Sequence, residues 1–284
     1  MRQTMQIRAR AKINWSLDVV GVRADGYHLL DGIMQPIALS DTLTIAPADD
    51  LTLSIAGAPD LSPGEDNLVL KAARALIGES GISAGARITL QKRIPRGAGL
   101  GGGSADCAAA LKGLSEFWGL ALPPDALLRL GEALGADVPF CLADRPCRVR
   151  GIGESLTPLP CGRTFPLVLI QPCEALSTRE VFAAWRQSGI PSPDTDGAAA
   201  ALARGDLSAL NQCAGNVLEA ASIPLRPVIR SAKEDLIALG AGMARMTGSG
   251  SAVFGAFEED AAARSACAAL QKKYAVCILT QTAV

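Results

Sequence analysis

Residues 95–106 read Pro-Arg-Gly-Ala-Gly-Leu-Gly-Gly-Gly-Ser-Ala-Asp, with five glycines between positions 97 and 103. Before this stretch, Ala86 to Gln91 alternates as a strand does. After it, from Ser104 to Leu120, Ala108, Leu111 and Trp118 return on one helical stripe. The stretch is therefore a strand-to-helix turn stripped of side chains. Such a turn lets successive backbone N–H groups approach an anion, and the helix starting near Ser104 adds the positive end of its dipole. This is a phosphate cradle. A turn with no ligand would carry the backbone-entropy cost of five glycines without return.

Two better-known glycine motifs do not fit. Gly97-x-Gly99-x-x-Gly102 has the form of the dinucleotide fingerprint, but Lys92, Arg93 and Pro95 separate the strand from the first glycine. Beyond Leu120, Pro123-Pro124-Asp125 opens another helix where a second parallel strand is required. The Walker pattern fails because Gly97-x-x-x-x-Gly102 is followed by Gly103-Ser104 and not by Lys-Ser or Lys-Thr. A hydrolase reading lacks both a Gly-x-Ser-x-Gly elbow and a second histidine.

Working outward, the first half reads as strands followed by helices. Ile7 to Ile13, Ser16 to Val20, Thr42 to Ala46 and Leu51 to Ile55 alternate, and Asp25-Gly26 and Pro59 punctuate them as hairpins. Asn67 to Ile77 changes to the helical period, and the helix from Pro123 ends near Gly135. The second half begins after Thr157-Pro-Leu-Pro160, which gives domains of residues 1–158 and 159–284. It reads as a strand from Pro166 to Pro172, a helix from Thr178 to Gln187 and a loop from Ser188 to Asp196. Helices follow at Ala198 to Arg204, Ala209 to Ala221 and Pro227 to Leu239. The chain then runs strand Met243 to Met246, turn Thr247 to Ser251, strand Ala252 to Phe257, helix Glu258 to Tyr274 and strand Val276 to Leu279. That order predicts an α+β sandwich with helices on one face of an antiparallel sheet.

Composition narrows the function. Of 284 residues, 27 are basic and 28 acidic, a net charge of -1 that leaves no footprint for nucleic acid or an anionic membrane. No stretch of 18 apolar residues occurs, and the basic start is followed by no apolar core of a signal segment, so cytoplasmic residence is expected. The eight cysteines form no Cys-x-x-Cys pair and His28 is the one histidine, so the cysteines read as small core residues rather than metal ligands.

Four polar features remain. Lys12 interrupts the apolar run Ala11-Lys-Ile-Asn14, and its local reading is a solvent-facing lysine on an edge strand. Asp137, in Gly135-Ala-Asp-Val-Pro-Phe140, follows a helix end and reads as a turn or capping aspartate. Arg23-Ala-Asp-Gly-Tyr-His28 is a hairpin turn that also offers a ring and a polar edge to a planar ligand. Thr247-Gly-Ser-Gly-Ser251 is a tight turn or a second anion contact.

Lys12-x-Asn14, Pro95 to Asp106, Asp137 and Thr247 to Ser251, in that order, resemble the three motifs of the GHMP kinases of galactose, homoserine, mevalonate and phosphomevalonate. The run Gly21-x-Arg23-x-Asp25-Gly-Tyr-His28 is similar to members that act on a cytidine diphosphate derivative of methylerythritol. The resemblance implies a two-domain α+β fold. An N-terminal mixed α/β ATP-binding domain and a C-terminal α+β sandwich would flank a cleft holding the active site. It implies ATP with Mg2+, carried mostly by phosphates and water, and a small-molecule substrate. Asp137 would accept the hydroxyl proton, with Lys12 holding the carboxylate ionised. Pro95, Gly97, Gly99, Leu100, Gly101, Gly102, Gly103 and Ser104 would hold the ATP phosphates, and Asn67 and Lys92 its adenine or ribose side. Asn14 would orient the substrate, Tyr27 and Phe182 would sandwich the cytosine, and His28 would bond its edge. Thr178, Gly248 and Ser249 would line the substrate. The same loop leaves three rivals: a homoserine- or mevalonate-type kinase, a nicotinamide-dependent reductase, and a non-catalytic sensor that tolerates loss of Asp137.

Overall fold

In the computed structural model, which describes residues 3–186 and 191–283, the two N-terminal strand segments are one strand, β1 (Met5–Val22). Its odd-numbered residues Ala9 to Val19 are apolar and buried. Its even-numbered residues Lys12, Asn14, Ser16 and Asp18 are polar and also buried. The alternation is that of a strand with one wet face, yet both faces are covered. The Arg23–Tyr27 turn, with Gly26 at φ 87°, reverses the chain into β2 (His28–Ala46), which pairs with β1. The first half of β2, interrupted by Gly32 and Pro36, carries no alternating signal and was not expected as a strand.

Contacts divide the chain into two compact units, interleaved rather than split at one point. The first takes the chain up to Ala11, then Leu39–Ile94 and Gly101–Asp144. The second takes Lys12–Ala38, Pro95–Leu100 and the chain from Arg145.

Within the first unit, β3 (Leu51–Ala56) leads through α1 (Leu68–Ser80) to β4 (Ala86–Gln91). The expected hairpin at β3 is not formed. β3 and β4 run parallel with α1 as their crossover, because Asn67 caps a helix in the connection, and β4 then pairs antiparallel with the second half of β2. α2 (Gly102–Trp118) follows the glycine turn and packs beside α1, α3 (Pro124–Leu134) and α4 (Val138–Ala143). Gly113 brings α2 onto the sheet: a Cβ there would stand 2.9 Å from Ile45 Cδ1.

In the second unit, β5 (Cys147–Gly151) joins the first half of β2 and carries β6 (Ser155–Pro158). A separate four-stranded antiparallel sheet has the order β10-β7-β9-β8. It is formed by β7 (Pro166–Gln171), β8 (Met243–Met246), β9 (Val253–Ala256) and β10 (Val276–Gln281). The connecting helices are α5 (Thr178–Ala184), α6 (Thr195–Arg204), α7 (Leu207–Cys213), α8 (Glu219–Leu225), α9 (Val228–Ala238) and α10 (Asp260–Leu270). α9 and α10 bury Ile229, Leu236, Ala263 and Leu270 in one cluster with Val168, Ile170 and Val253 of the sheet, the expected α+β sandwich. Trp15 of β1 meets the sheet through Phe165 and Phe254, edge-on at 5.6 and 5.4 Å.

Two helices differ from expectation. The expected Thr178 to Gln187 helix stops at Ala184, and Gln187 and residues 188–190 of the expected loop lie outside the described residues. The run from Ala209 to Ala221 breaks into α7 and α8. Between them the backbone pairs with β1, with Leu17 N–H donating to the Gly215 carbonyl (2.7 Å) and Val217 N–H to that of Leu17 (3.0 Å).

Trp15 is fully buried between two rings and its indole N–H reaches Gln35 Oε1 at 3.4 Å, so Trp15→Ala should lower unfolding free energy by about 3–5 kcal/mol. Urea melts read the change, and a loss below about 1 kcal/mol would show that the site collapses around the smaller side chain.

Candidate active site

The glycine turn changes unit between Leu100 and Gly101, so its two halves are built by different neighbours. In the first unit Gly101 is the N-cap of α2 at φ 69°, a left-handed conformation that favours glycine. Gly101 has no side chain with which to cap this helix, whose first turn carries the N–H groups of Gly102, Gly103 and Ser104. Gly135 lies next to them, since a Cβ on it would stand 4.0 Å from Ser104 Oγ. Two residues on, half-buried Asp137 occupies the N-cap position of α4 without a side-chain capping bond. Asp137 thus lies two residues beyond the point where Gly135 approaches the first turn of α2.

At the foot of the turn, Lys92 is buried between two carboxylates. Its Nζ donates to Asp41 Oδ2 and, at 2.7 Å, to Asp106 Oδ2. Asp41 Oδ1 accepts the backbone N–H groups of Arg93 and of Ile94 (2.9 Å), so Asp41 fixes the exit of β4. Asp106 Oδ1 is buried with no partner. Burial, with the Asp41 carboxylate adding to it and Lys92 opposing, pushes the Asp106 carboxyl up to about 7. The Lys92 ammonium, expected beside adenine or ribose, is engaged by this pair. Asn67 caps α1, accepting from Val69 N–H (3.0 Å) and donating to the Ser62 carbonyl (3.0 Å).

In the second unit the other half of the turn lies against residues 247–251. A Cβ on Gly99, at φ 76°, would stand 2.1 Å from the Thr247 carbonyl oxygen, and Ala252 N–H donates to the Ala98 carbonyl (3.2 Å). Lys12 N–H donates to the Leu100 carbonyl (3.0 Å), and Lys12 Nζ donates to Asn14 Oδ1 (2.7 Å). The same Oδ1 accepts Gly248 N–H (3.0 Å), while Asn14 N–H donates to Thr247 Oγ1 (3.1 Å). Lys12 is 4% exposed, which overturns the local reading of a solvent-facing edge lysine: the polar side of β1 is covered by the two turns it serves.

Sequence reading missed two supports of the 247–251 turn. Asn216 Nδ2 donates to the carbonyls of Met246 and Gly248, both at 2.8 Å, and Ser222 Oγ donates to that of Ser249 (3.1 Å). Gly215-Asn216 inside an apparently helical run was the available signal. Thr178 Oγ1 lies 2.9 Å from Ser249 Oγ.

The aromatic group assembles only in part. His28 lies against Phe182 at 4.9 Å and meets Trp185 edge-on at 5.9 Å. Tyr27 is 60% exposed beside the Arg23 guanidinium. Among the described residues no group of three His, Cys, Asp or Glu is placed to hold a metal ion, and no helix is long and apolar enough to cross a membrane.

The GHMP kinases N terminal domain matches residues 67–145 and the GHMP kinases C terminal domain matches residues 198–276. A 4-diphosphocytidyl-2-C-methyl-D-erythritol kinase of Pelotomaculum thermopropionicum is 42% identical over 278 residues, covering 96% of both proteins. One of Paramagnetospirillum magneticum is 44% identical, covering 94% of each. A crystal structure of 4-(cytidine 5'-diphospho)-2C-methyl-D-erythritol kinase superposes with a TM-score of 0.86 at 36% identity, covering 99% of this chain and 100% of that one. A homoserine kinase from Cytophaga hutchinsonii, at TM-score 0.79 and 20% identity over 100% of this chain and 96% of its own, shares the fold.

Gly99 and Gly26 separate steric from conformational cost. Both have positive φ, but a Cβ on Gly26 meets nothing within 4 Å. Gly26→Ala should cost about 1–2 kcal/mol of stability, and Gly99→Ala clearly more, because the Thr247 turn must move. Equal shifts in urea midpoint would show that Gly99 makes no essential close approach.

Proposed function

The chain belongs to the GHMP kinases, within them to the 4-diphosphocytidyl-2-C-methyl-D-erythritol kinases, and we propose that Asp137 and Lys12 handle the proton of its substrate hydroxyl while the glycine turn holds ATP. The enzyme is a phosphotransferase with an alcohol acceptor: it phosphorylates the 2-hydroxyl of 4-diphosphocytidyl-2-C-methyl-D-erythritol on the non-mevalonate route to isoprenoid precursors. Likeness to homoserine and mevalonate kinases, at 20% and 16% identity, extends to the fold alone.

The observation that carries the residue roles is the uncapped, glycine-lined start of α2 with Asp137 on the segment passing it. Phosphoryl transfer asks mainly for positioning and for stabilisation of charge. The N–H groups of Gly102, Gly103 and Ser104 hold phosphate oxygens, and Gly97, Gly99, Leu100 and Gly101 keep the backbone close, with Pro95 setting its entry. Asp137 accepts the hydroxyl proton. Lys12 offsets the developing alkoxide charge. Asn14 orients Lys12 and the substrate, and Thr178, Gly248 and Ser249 line the substrate. Phe182 and His28, already in contact, receive the cytosine, with Tyr27 folding over it. Asn67 bounds the adenine side, and Lys92 acts there by shaping the turn.

Mg2+ accompanies ATP in this reading. The ion is taken to arrive mostly on phosphate oxygens and water, and the residue roles above are assigned without it. The cytosol is the compartment that fits eight cysteines joined in no disulfide.

Substrate identity is tested by ADP release with 4-diphosphocytidyl-2-C-methyl-D-erythritol against homoserine, mevalonate and galactose. Turnover should be confined to the first, and a comparable kcat/KM on any other would displace this reading.

For the mechanism, Asp137→Asn should lower kcat by about 10²–10⁴ with little change in KM, because the lost interaction belongs to the transition state. Lys12→Met should fall comparably. The double variant should lose much less than the two energies added, since both act on one proton. Near-native turnover of Asp137→Asn, or simple additivity, would return Asp137 to the role of a turn residue.

A further inference from the structure

The two carboxylates and single ammonium at the foot of the turn leave one negative charge too many in a buried place. Lys92, Asp41 and Asp106 are 5%, 0% and 5% exposed at their side chains. Both oxygens of Asp41 have partners, Oδ2 in Lys92 and Oδ1 in two backbone N–H groups. Asp106 is not: Oδ2 has Lys92, and Oδ1 has nothing. A bare oxygen on a buried carboxylate costs more than one on a neutral acid, whose carbonyl carries little charge. The cluster also abuts the anion site, because a Cβ on Gly102 would stand 3.4 Å from Lys92 Nζ, and Asp106 lies in the second turn of the same helix.

We propose that Asp106 is a positioning residue for the nucleotide and works as a neutral acid: as the phosphates settle on the turn, its carboxyl takes up one proton from solvent and shares it with the Asp41 carboxylate. The inference rests on the glycine turn being the phosphate site. Phosphate charge arriving at Gly102 is repelled by the surplus charge behind it, and one proton on Asp106 removes that surplus without breaking the Lys92 pair. The step is a proton transfer only: a solvent proton forms an O–H bond on the Asp106 carboxyl and no other bond changes.

The charged groups acting on Asp106 are Lys92 at the end of β4 and Asp41 on β2. Neighbouring Cys107 stays a neutral thiol, pushed up to about 12 by burial. The helices packed on α2 bury apolar groups: Val69, Leu70 and Leu76 from α1, Ala126 from α3, and Val138 and Phe140 from α4. With its carboxyl raised to about 7, Asp106 in the free protein is largely protonated at pH 6 and largely ionised at pH 8. Uptake is therefore small at the lower pH and grows as pH rises. By reciprocity, nucleotide affinity weakens over the same interval.

The test is calorimetric titration of ADP into the enzyme at pH 6, 7 and 8, in pairs of buffers with different ionisation heats, for the wild type and Asp106→Asn. Subtracting the variant removes the proton chemistry of ADP itself. The difference should be near zero at pH 6 and rise to between about one half and one proton per site at pH 8. Over that range the wild-type Kd should weaken several-fold relative to the variant, up to about tenfold in all. Equal proton counts in the two proteins at pH 8 would overturn the proposal and leave the phosphate-loop reading intact. Failure of ADP to bind the wild type would sink both. If Asp106→Asn does not fold, infrared difference spectra of the Asp137→Asn enzyme decide the matter at pH 8: a carboxylic-acid C=O band gained on adding ADP supports it, and its absence refutes it.

Discussion

A turn that offers its N–H groups to a ligand cannot use those groups to hold its own shape. Half of the stretch from Pro95 to Ser104 is glycine, so beyond the buried side chains of Ala98 and Leu100 much of its restraint must come from elsewhere. Buried polar side chains supply those restraints. Asp41 and Lys92 fix the chain as it leaves β4, and Asn14 and Thr247 hold the flank at Gly99 and Gly248. Asn216 and Ser222 in turn hold the carbonyls of the 246–249 segment. Each of these groups has exchanged hydration for a defined partner, which makes the network costly to leave half made.

The same constraint explains β1. Its apolar residues enter ordinary cores, but Lys12 and Asn14 on the other face are polar, buried and bonded at the turns beside them. Strand geometry suits this task, because successive same-side residues are held about 7 Å apart on a stiff backbone. Lys12 and Asn14 are thereby set side by side, and their hydrogen bond fixes an ammonium that would otherwise sample many rotamers. Hydrogen-bonded polar residues and apolar core residues occupy opposite faces of one strand.

This division decides what was legible in the sequence. The glycine turn, the α2 stripe, the antiparallel sheet of the second half and the Asp25-Gly26 reversal all follow from local chemistry, and they stand where expected. Lys12 was misread from its surroundings because alternation cannot show whether the polar face of a strand is wet or covered. The break between α7 and α8 was hidden because its cause, pairing of Gly215 and Val217 with Leu17, lies some two hundred residues away in the chain. β2 was half missed, since Gly32 and Pro36 interrupt the pattern that pairing with β1 and β5 restores. Asp41 looked like any polar residue at the start of a strand. Only the approach of Lys92 and Asp106, 51 and 65 positions further on, gives it meaning.

Because the compact units are interleaved, the order in which the ribosome delivers the chain matters. Gln35 and Pro36, on an early strand, bond to Ala283, and Ile37 bridges Thr282. Phe165 N–H likewise waits for the Thr282 hydroxyl. These contacts of the unit that owns Lys12, Asn14 and Trp15 therefore form only after synthesis has passed residue 282. Long-range pairing of this kind is slow to form and exposed while it waits. Residues 35–37 of an early strand are thus completed only by contacts from residues 282 and 283.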